Sequence, residues 1–392
     1  MQGNFRNQKP FKKIILLAVF ISFFSISSSA QDSTNKEFHP SGKIWGYAFG
    51  DYAYKIHADG TERGTVQYSK LPKNYNSFNF RRVYLGYDYH LSPNVSTQLI
   101  LAHESSAEGN PSNPDVLTNG NRGIYIKAIN IRFKKIIPRA TIVAGQQSTP
   151  TFSTLSESVW GYRSIEKTLL DMRGISSSTD LGVGILGKIG KNENVGYNIL
   201  VGNNNGAKPE NNKSKKLYTS LYTYFFNKKL VVQGNFEMGT IATSPIDKRM
   251  SIFKLFSGYQ TDLTSVGVEA FRQIKTNSSN YIKNGTDTAF ADVHRTGISF
   301  FITHQLKKDK LSLFARYDIY NPDTKFIKDN GYFGNYSTYN ETFATLGIDY
   351  VPYENVHIMP NLWYNRYQSK TTGIKSDYDL VGRVTLYFLF NK

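Results

Sequence analysis

Seven basic residues are the positions of this sequence with the clearest capacity for chemistry. Four arginines lie in strand-like runs, at positions that alternate with apolar ones, and three basic residues lie on or near the longest connection. A guanidinium group binds a phosphate or carboxylate through paired hydrogen bonds, and fixed cations around a passage raise the local anion concentration. The alternative is that each cation pairs with a nearby acid, such as Asp318 or Glu166, and only braces the fold. The seven candidates for lining a pore and binding anions are Arg82, Arg132, Arg163, Lys167, Arg173, Arg316 and Arg383.

Catalytic chemistry has little support. The seven histidines lie far apart, and no pair has the spacing of a helical metal site. The sequence contains neither a Gly-x-Ser-x-Gly elbow nor a phosphate-binding loop. It has no cysteine, which excludes disulfides, thiolate metal sites and a lipoprotein anchor. We therefore predict no catalytic residues, no metal site and no cofactor.

The first thirty residues predict an export signal. Four basic residues precede an apolar run at 14–24, and a small-residue cleavage site follows at 28–30. The alternative is a single N-terminal anchor helix. No later stretch reaches eighteen apolar residues, so the rest of the chain is not a helical membrane protein. The predicted organisation is a signal peptide at 1–30, a short periplasmic lead at 31–41 and one domain at 42–392.

Composition favours strands and turns in an exported, basic chain. The sequence has 27 Tyr, 26 Phe and 31 Gly, residue types that suit sheets and tight turns. Its formal charge is +17, and four of those positive charges belong to the export segment. A basic exported protein is expected to meet anionic lipid head groups or small anionic solutes rather than nucleic acid.

Sixteen runs have strand-like composition or alternate apolar and polar residues. Most have about the length that a tilted strand needs to cross a bilayer. The runs are 43–55, 78–89, 95–104, 124–133, 140–147, 180–189, 195–203, 217–226, 230–239, 250–260, 265–275, 295–306, 311–321, 342–351, 356–367 and 378–390.

Long and short connections alternate between these runs. The short ones have three to six residues, whereas the long ones include 148–179 and 276–294. A membrane barrel with long external loops and short periplasmic turns has this asymmetry, and a soluble sandwich has no reason for it. The predicted fold is therefore all-β, a 16-stranded antiparallel transmembrane β-barrel. The alternative is a soluble barrel or sandwich with one wet face.

The alternation also predicts which way side chains face. In the run 311–321, Leu313, Ala315 and Tyr317 share one face, and Phe314, Arg316 and Asp318 share the other. The last run separates Val384 and Leu386 from Arg383 in the same way. Apolar residues facing lipid and polar residues facing a wet interior are typical of a water-filled barrel.

The third long connection, 148–179, is predicted to fold inward and narrow the barrel, although it could instead lie over the mouth. It contains a helical pattern, with Ser164 as the cap and Gly174 after the last turn. The apolar residues Ile165, Leu169 and Met172 would lie on one face of this helix. A long loop with internal structure is usually functional.

Several short motifs resemble the phosphate-selective porin O/P-like family. These are Phe80 to Gly86, Glu166 to Thr168, Asp171 to Gly174, Phe314 to Asp318 and Pro360 to Tyr364. The resemblance covers about position 42 to the end. It implies an outer-membrane porin of sixteen strands with anion preference, assembled as a homotrimer. The arginine ladder and lysine cluster of the phosphate-specific members have no residue-by-residue match here.

The sequence therefore predicts passive diffusion of small hydrophilic solutes, with anions preferred and phosphate a candidate solute. The lysines of the short turns, such as Lys134 and Lys135, are expected to lie beside anionic head groups. A non-conducting barrel used for adhesion or assembly is the main alternative. An outer-membrane hydrolase is a lesser one.

Overall fold

Sixteen antiparallel strands close on themselves to form a barrel, which confirms the predicted fold. Each strand pairs with its neighbours in sequence, and the first pairs with the last through partners such as Gly46 and Phe390. The computed structural model describes residues 38–104, 123–151, 155–242, 246–283, 287–326 and 338–391. The predicted signal peptide and residues 31–37 of the predicted lead lie outside these residues. None of the helices in the described part of the chain is long and apolar enough to span a membrane.

The strands are β1 (Ser41–His57), β2 (Asn76–Ser92), β3 (Val95–Glu104), β4 (Tyr125–Lys134), β5 (Ala140–Ser148), β6 (Thr179–Ile189), β7 (Val195–Gly202), β8 (Lys216–Phe225), β9 (Leu230–Ala242), β10 (Lys248–Gln260), β11 (Thr264–Lys283), β12 (Asp287–Lys307), β13 (Leu311–Asn321), β14 (Tyr339–Tyr353), β15 (Val356–Ser369) and β16 (Asp377–Phe390).

The predicted face assignment is confirmed in β13 and β16. In β13, Phe314, Arg316 and Asp318 are buried in the interior, whereas Leu313 and Tyr317 are exposed on the outside. Closing the sheet leaves no unpaired edge and gives every strand one inner and one outer face. The exposed outer side chains are mainly apolar and form an apolar outer belt that includes Leu85, Val183, Leu255, Phe300, Ile302, Leu313, Leu346, Leu362 and Leu386.

The alternation of connections holds with one correction. All seven short connections are present, and the shortest, 93–94 between β2 and β3 and 354–355 between β14 and β15, have two residues each. The sixth long connection, predicted at 276–294, is wrong because β11 continues to Lys283 and β12 begins at Asp287. The sequence at 276–280, Thr-Asn-Ser-Ser-Asn, is polar throughout, so hydrophobic alternation could not reveal this extension.

The connection between β5 and β6, residues 149–178, is the third loop, and it folds into the barrel as predicted. It carries two short helices, α1 (Ser156–Trp160) and α2 (Leu169–Met172). The predicted helix from Ser164 to Gly174 is wrong in extent, because only α2 is helical there and Thr168 precedes it without a side-chain cap. Gly174 does follow α2 with a left-handed φ of 59°, as a helix end favours.

The third loop buries apolar side chains against one part of the inner wall. Trp160 and Ile165 pack with Phe256, Phe301 and Phe314 of the strands. Leu169 and Leu170 pack with a second wall group that contains Ile252, Phe271 and Tyr320. We call this part of the interior, lined by β8–β16 and β1, the filled side. Its inward side chains are almost all buried.

The inner face of β3–β7 is different, and we call it the open side. Several of its inward side chains keep partial exposure, including Lys127, Arg132 and Lys188. Leu186 also points inward and is 41% exposed. An apolar side chain that is exposed inside a closed barrel indicates that the third loop leaves unfilled space beside it.

Candidate functional site

Three arginines of the wall fasten the third loop by its backbone. Arg81 donates to the carbonyl oxygens of Ser164 and Ile165, and Arg383 donates to that of Ile165 at 3.0 Å. Arg316 donates to the carbonyl oxygen of Lys167. These bonds hold the loop backbone against the wall between α1 and α2, where the chain forms a turn at 163–165.

Buried ion pairs complete the filled side. Lys216 pairs with Glu237 at 2.5 Å, Lys254 with Glu269 at 3.1 Å, and Arg173 with Glu341. All six side chains are at most 4% exposed. Charges that are neutralised and shielded from water in this manner hold the structure but have little access to a passing solute.

A partly exposed group of seven charged residues lies between the third loop and the wall, and we call it the mixed-charge cluster. Its side chains are 7–28% exposed. It contains four cations and three carboxylates, an excess of one positive charge. Its members are Arg82, Glu104 and Lys127 on the strands, and Glu157, Arg163, Lys167 and Asp171 on the third loop.

Ion pairs connect the cluster. Glu104 accepts from Lys127 at 2.5 Å and lies 3.4 Å from Arg82. On the loop, Arg163 bridges Glu157 and Asp171, with 3.0 Å to Asp171. Arg163 also interacts electrostatically with Glu104, which joins the loop half of the cluster to the strand half. The side chains therefore present donors and acceptors to the same space.

Two β-bulges place the wall cations. In the pairing of β1 with β2, Phe49 opposes Arg82 and Gly50 opposes Phe80, so Arg81 is an extra residue and both arginines face inward. A Cβ on Gly50 would lie 2.3 Å from the carbonyl oxygen of Asn79, so this close approach requires glycine.

The second bulge turns Lys127 inward. Ile100 opposes Ala128 and Leu101 opposes Ile126, which leaves Lys127 as the extra residue of β4. Its ammonium group then reaches both Glu104 and the hydroxyl of Ser178, at 3.2 Å. The bulge thus adds a cation at the junction of wall and third loop.

The charges around Asp171, a carboxylate of the third loop, determine its pKa. Burial alone would raise the pKa of Asp171, but the nearby charges of Lys167 and Arg163 outweigh it and hold that pKa below its ordinary value. Burial likewise opposes the charge of Arg163, yet Glu157 and its other acidic neighbours raise its pKa well above the ordinary value. Both groups are therefore charged at neutral pH.

The seven predicted residues divide into three groups. Arg82, Arg163 and Lys167 come together in the mixed-charge cluster, whereas Arg173, Arg316 and Arg383 lie on the filled side. Arg132 lies apart from both groups. It donates to the side-chain oxygens of Asn130 at 3.0 Å and Gln98 at 2.8 Å. The structure does not bring the seven into one ladder.

Sequence reasoning missed other interior cations. Strict alternation places Arg81 and Lys127 on the wrong face, and only the bulges bring them inward. Lys254 follows plain alternation between buried Ile252 and Phe256, so its position was recognisable. In the part of the chain that the structure describes, no group of three side chains has the arrangement of a metal site.

Comparison with known proteins supports the fold. No family model matches the chain, and no curated relative does. The outer membrane channel DcaP of Acinetobacter baumannii is similar with a TM-score of 0.63 at 11% identity, over 93% of this chain and 100% of that one. An anion-selective porin from Comamonas acidovorans gives a TM-score of 0.58 at 10% identity, over 90% and 100%.

OmpT, an outer membrane protein of Vibrio cholerae, gives a TM-score of 0.56 at 13% identity, over 91% of this chain and 99% of that one. These similarities extend over nearly the whole length of each protein. The architecture of this chain is thus that of the outer-membrane porin barrels.

Proposed function

We propose that this chain is an outer-membrane porin through which small hydrophilic solutes diffuse passively. The observation that carries the proposal is a closed barrel with an apolar outer belt and a third loop that fills only one side of its interior. Such a belt would be an unusually large apolar surface in water, but it suits acyl chains. The solute path would follow the open side, past the mixed-charge cluster. The predicted signal at 1–30 would direct export.

We further propose that the pore prefers anions. The mixed-charge cluster has one more cation than carboxylates, and the whole chain is strongly basic. Fixed charge around a narrow passage sets ion preference. Phosphate is a candidate solute because the sequence resembles the phosphate-selective porins and because the Comamonas neighbour is described as anion-selective.

Ion currents across a planar bilayer test both proposals. Purified protein is expected to give steady steps of conductance. Under a salt gradient, the reversal potential is expected to have the sign that indicates anion preference. Cation preference would overturn the second proposal. Low concentrations of phosphate that block chloride current would support the phosphate assignment, and the absence of block would support a general porin.

A non-conducting barrel for adhesion or assembly is the second candidate. It is favoured by the apolar packing and closed ion pairs that occupy the filled side. A folded, inserted protein that passes no current would establish it. A homotrimer is also proposed, from the sequence resemblance and from the trimer form in which OmpT of Vibrio cholerae was solved. Chemical cross-linking in native membranes tests that assembly.

A further inference from the structure

Two adjoining cavities lie beneath the third loop, at the short-turn end of the filled side. One has a volume of about 250 Å³ and the other about 240 Å³. They share Ser158, Gly161 and Ser164 of the loop and Tyr387 of β16 as lining residues. We call them together the underside cleft. Each is smaller than a usual small-molecule site of about 300–1,000 Å³, whereas the two together fall within that range.

Aromatic rings form one wall of this cleft. Trp45, Tyr47 and Phe49 occupy successive inward positions of β1 and stack nearly parallel, with centroids 6.5 and 6.4 Å apart. Tyr387 meets Tyr47 and Phe49 edge-on at 6.0 and 5.9 Å, and His357 lies 5.2 Å from Tyr387. Of these rings, Tyr47, Phe49, His357 and Tyr387 line the cleft, so an occupant meets aromatic carbon on this side.

The rest of the lining is polar and carries both donors and acceptors. Glu157 and Arg163 form an ion pair at one end. At the other end, Asp349 accepts from Tyr162 at 3.2 Å and lies 3.0 Å from Nδ1 of His357. Side chains of this kind hydrogen-bond hydroxyl groups in either direction.

The charges of the lining disfavour an anion. Glu157, Asp262 and Asp349 are carboxylates, and Arg163 is the opposing guanidinium. Asp262 and Asp349 line the 250 Å³ cavity, whose described lining includes no lysine or arginine, so a further carboxylate or phosphate would meet net repulsion there. The occupant that fits is therefore uncharged, with a flat apolar face and a rim of hydroxyls.

We propose that the underside cleft is a binding subsite for neutral sugars, with one pyranose ring in each cavity and a ring face against Tyr47 and Tyr387. This inference rests on the proposed function, because a sugar would reach the cleft through the barrel. It extends that function to a solute class distinct from the anions that the mixed-charge cluster favours.

Sugar block of ion current in a planar bilayer tests the proposal. Maltose is expected to reduce the chloride current of the wild type at lower concentrations than sorbitol, which has hydroxyls but no ring. Tyr387→Leu is expected to weaken maltose block by roughly two- to tenfold, the value of one aromatic contact. Tyr387→Phe keeps the ring and should stay close to the wild type. The matched control is Tyr317→Leu, a tyrosine exposed on the outer face of β13.

Equal block by maltose and sorbitol in the wild type would overturn the proposal without any variant. So would stronger block by benzoate than by maltose, or an unchanged maltose block in a folded Tyr387→Leu protein. Calorimetric titration of maltose into the protein in detergent separates this inference from the proposed function. Sugar binding without conductance would overturn the porin alone, whereas conductance without sugar binding would overturn the subsite alone.

Discussion

The filled side and the open side of the barrel use the same residue types for different purposes. On the filled side, Arg173 is 1% exposed and its ion-pair partner, Glu341, is 4% exposed. In the mixed-charge cluster, Arg163 is 14% exposed and bridges two carboxylates that are themselves partly exposed. The difference is in burial and not in charge. A cation shielded from water braces the fold, whereas one that keeps contact with water is available to a solute.

This contrast explains why a count of interior arginines is a poor guide to pore chemistry. Arg316 and Arg383 face the interior as their alternation predicts, yet they hold the backbone of the third loop. Arg82 also follows the alternation and lies in the mixed-charge cluster. The position of the third loop decides which inward cations remain accessible.

The largest expected effect is on stability, from breaking a pair on the filled side. Arg173→Met would leave Glu341 buried without its cation, and the free energy of unfolding is expected to fall by about 3–5 kcal/mol. Urea unfolding in lipid or detergent measures it. The control is Arg249→Met, because Arg249 and Asp247 are 70% and 49% exposed, and the loss there should be at most about 1 kcal/mol. Equal losses of unfolding free energy in the two variants would show that burial does not determine how much an ion pair contributes to stability.

The second-largest expected effect is on ion preference, which the mixed-charge cluster is proposed to set. Arg163→Gln removes one of its four cations, and the ratio of anion to cation permeability is expected to fall roughly fivefold, since a unit charge at close range is worth about 1 kcal/mol in water-like surroundings. Glu157→Gln is the matched opposite and should raise the ratio. Reversal potentials under a salt gradient report both. Shifts of the same sign would show that the cluster does not set the preference.

A smaller effect is expected on conductance from filling the open side. Leu186→Trp adds volume where the side chain is 41% exposed, and single-channel conductance should fall by a fraction on the order of a quarter or less. Val183→Trp is the control, because Val183 belongs to the apolar outer belt of the same strand. An unchanged conductance for Leu186→Trp would move the solute path away from β6.

The smallest effect concerns pH. Because the pKa of Asp171 lies below its ordinary value of 3.8, this carboxylate stays ionised from pH 8 to pH 5, and ion preference should be constant over that range. As the pH falls below 3.8 and through the lowered pKa of Asp171, protonation of this carboxylate leaves the cations less balanced, so anion preference should rise there. Reversal potentials at successive pH values measure this. A rise that begins near pH 6 would contradict the pKa assignment.

Much of the fold could be predicted because a barrel wall has one apolar and one polar face. Alternation in β13 and β16 identified the inward residues correctly, and short turns gave the strand order. The prediction failed where that contrast is missing. The end of the β11–β12 hairpin was predicted to be a loop at 276–294 because the sequence is polar throughout at 276–280.

The site was less predictable because it depends on contacts between distant residues. A helix was expected from Ser164, but the chain forms only a turn at 163–165, and Arg81, Arg316 and Arg383 of the wall bind the backbone of this segment. The bulge at Lys127 depends on the register between two strands, which local periodicity does not contain. Most carboxylate partners of the interior cations also come from other strands or from the third loop, whereas Arg316 pairs with Asp318 of its own strand, as the sequence spacing suggested.

Solutes are expected to pass along the open side beside the mixed-charge cluster. Labelling of introduced thiols measures whether that side is accessible from the pore. The chain has no cysteine, so each introduced thiol is the only target. A charged methanethiosulfonate reagent is expected to reduce the current through Lys127→Cys and to leave Ile252→Cys, at a buried position of the filled side, unchanged. Current that is blocked at position 252 but not at position 127 would contradict the account, as would a correctly inserted protein that carries no current.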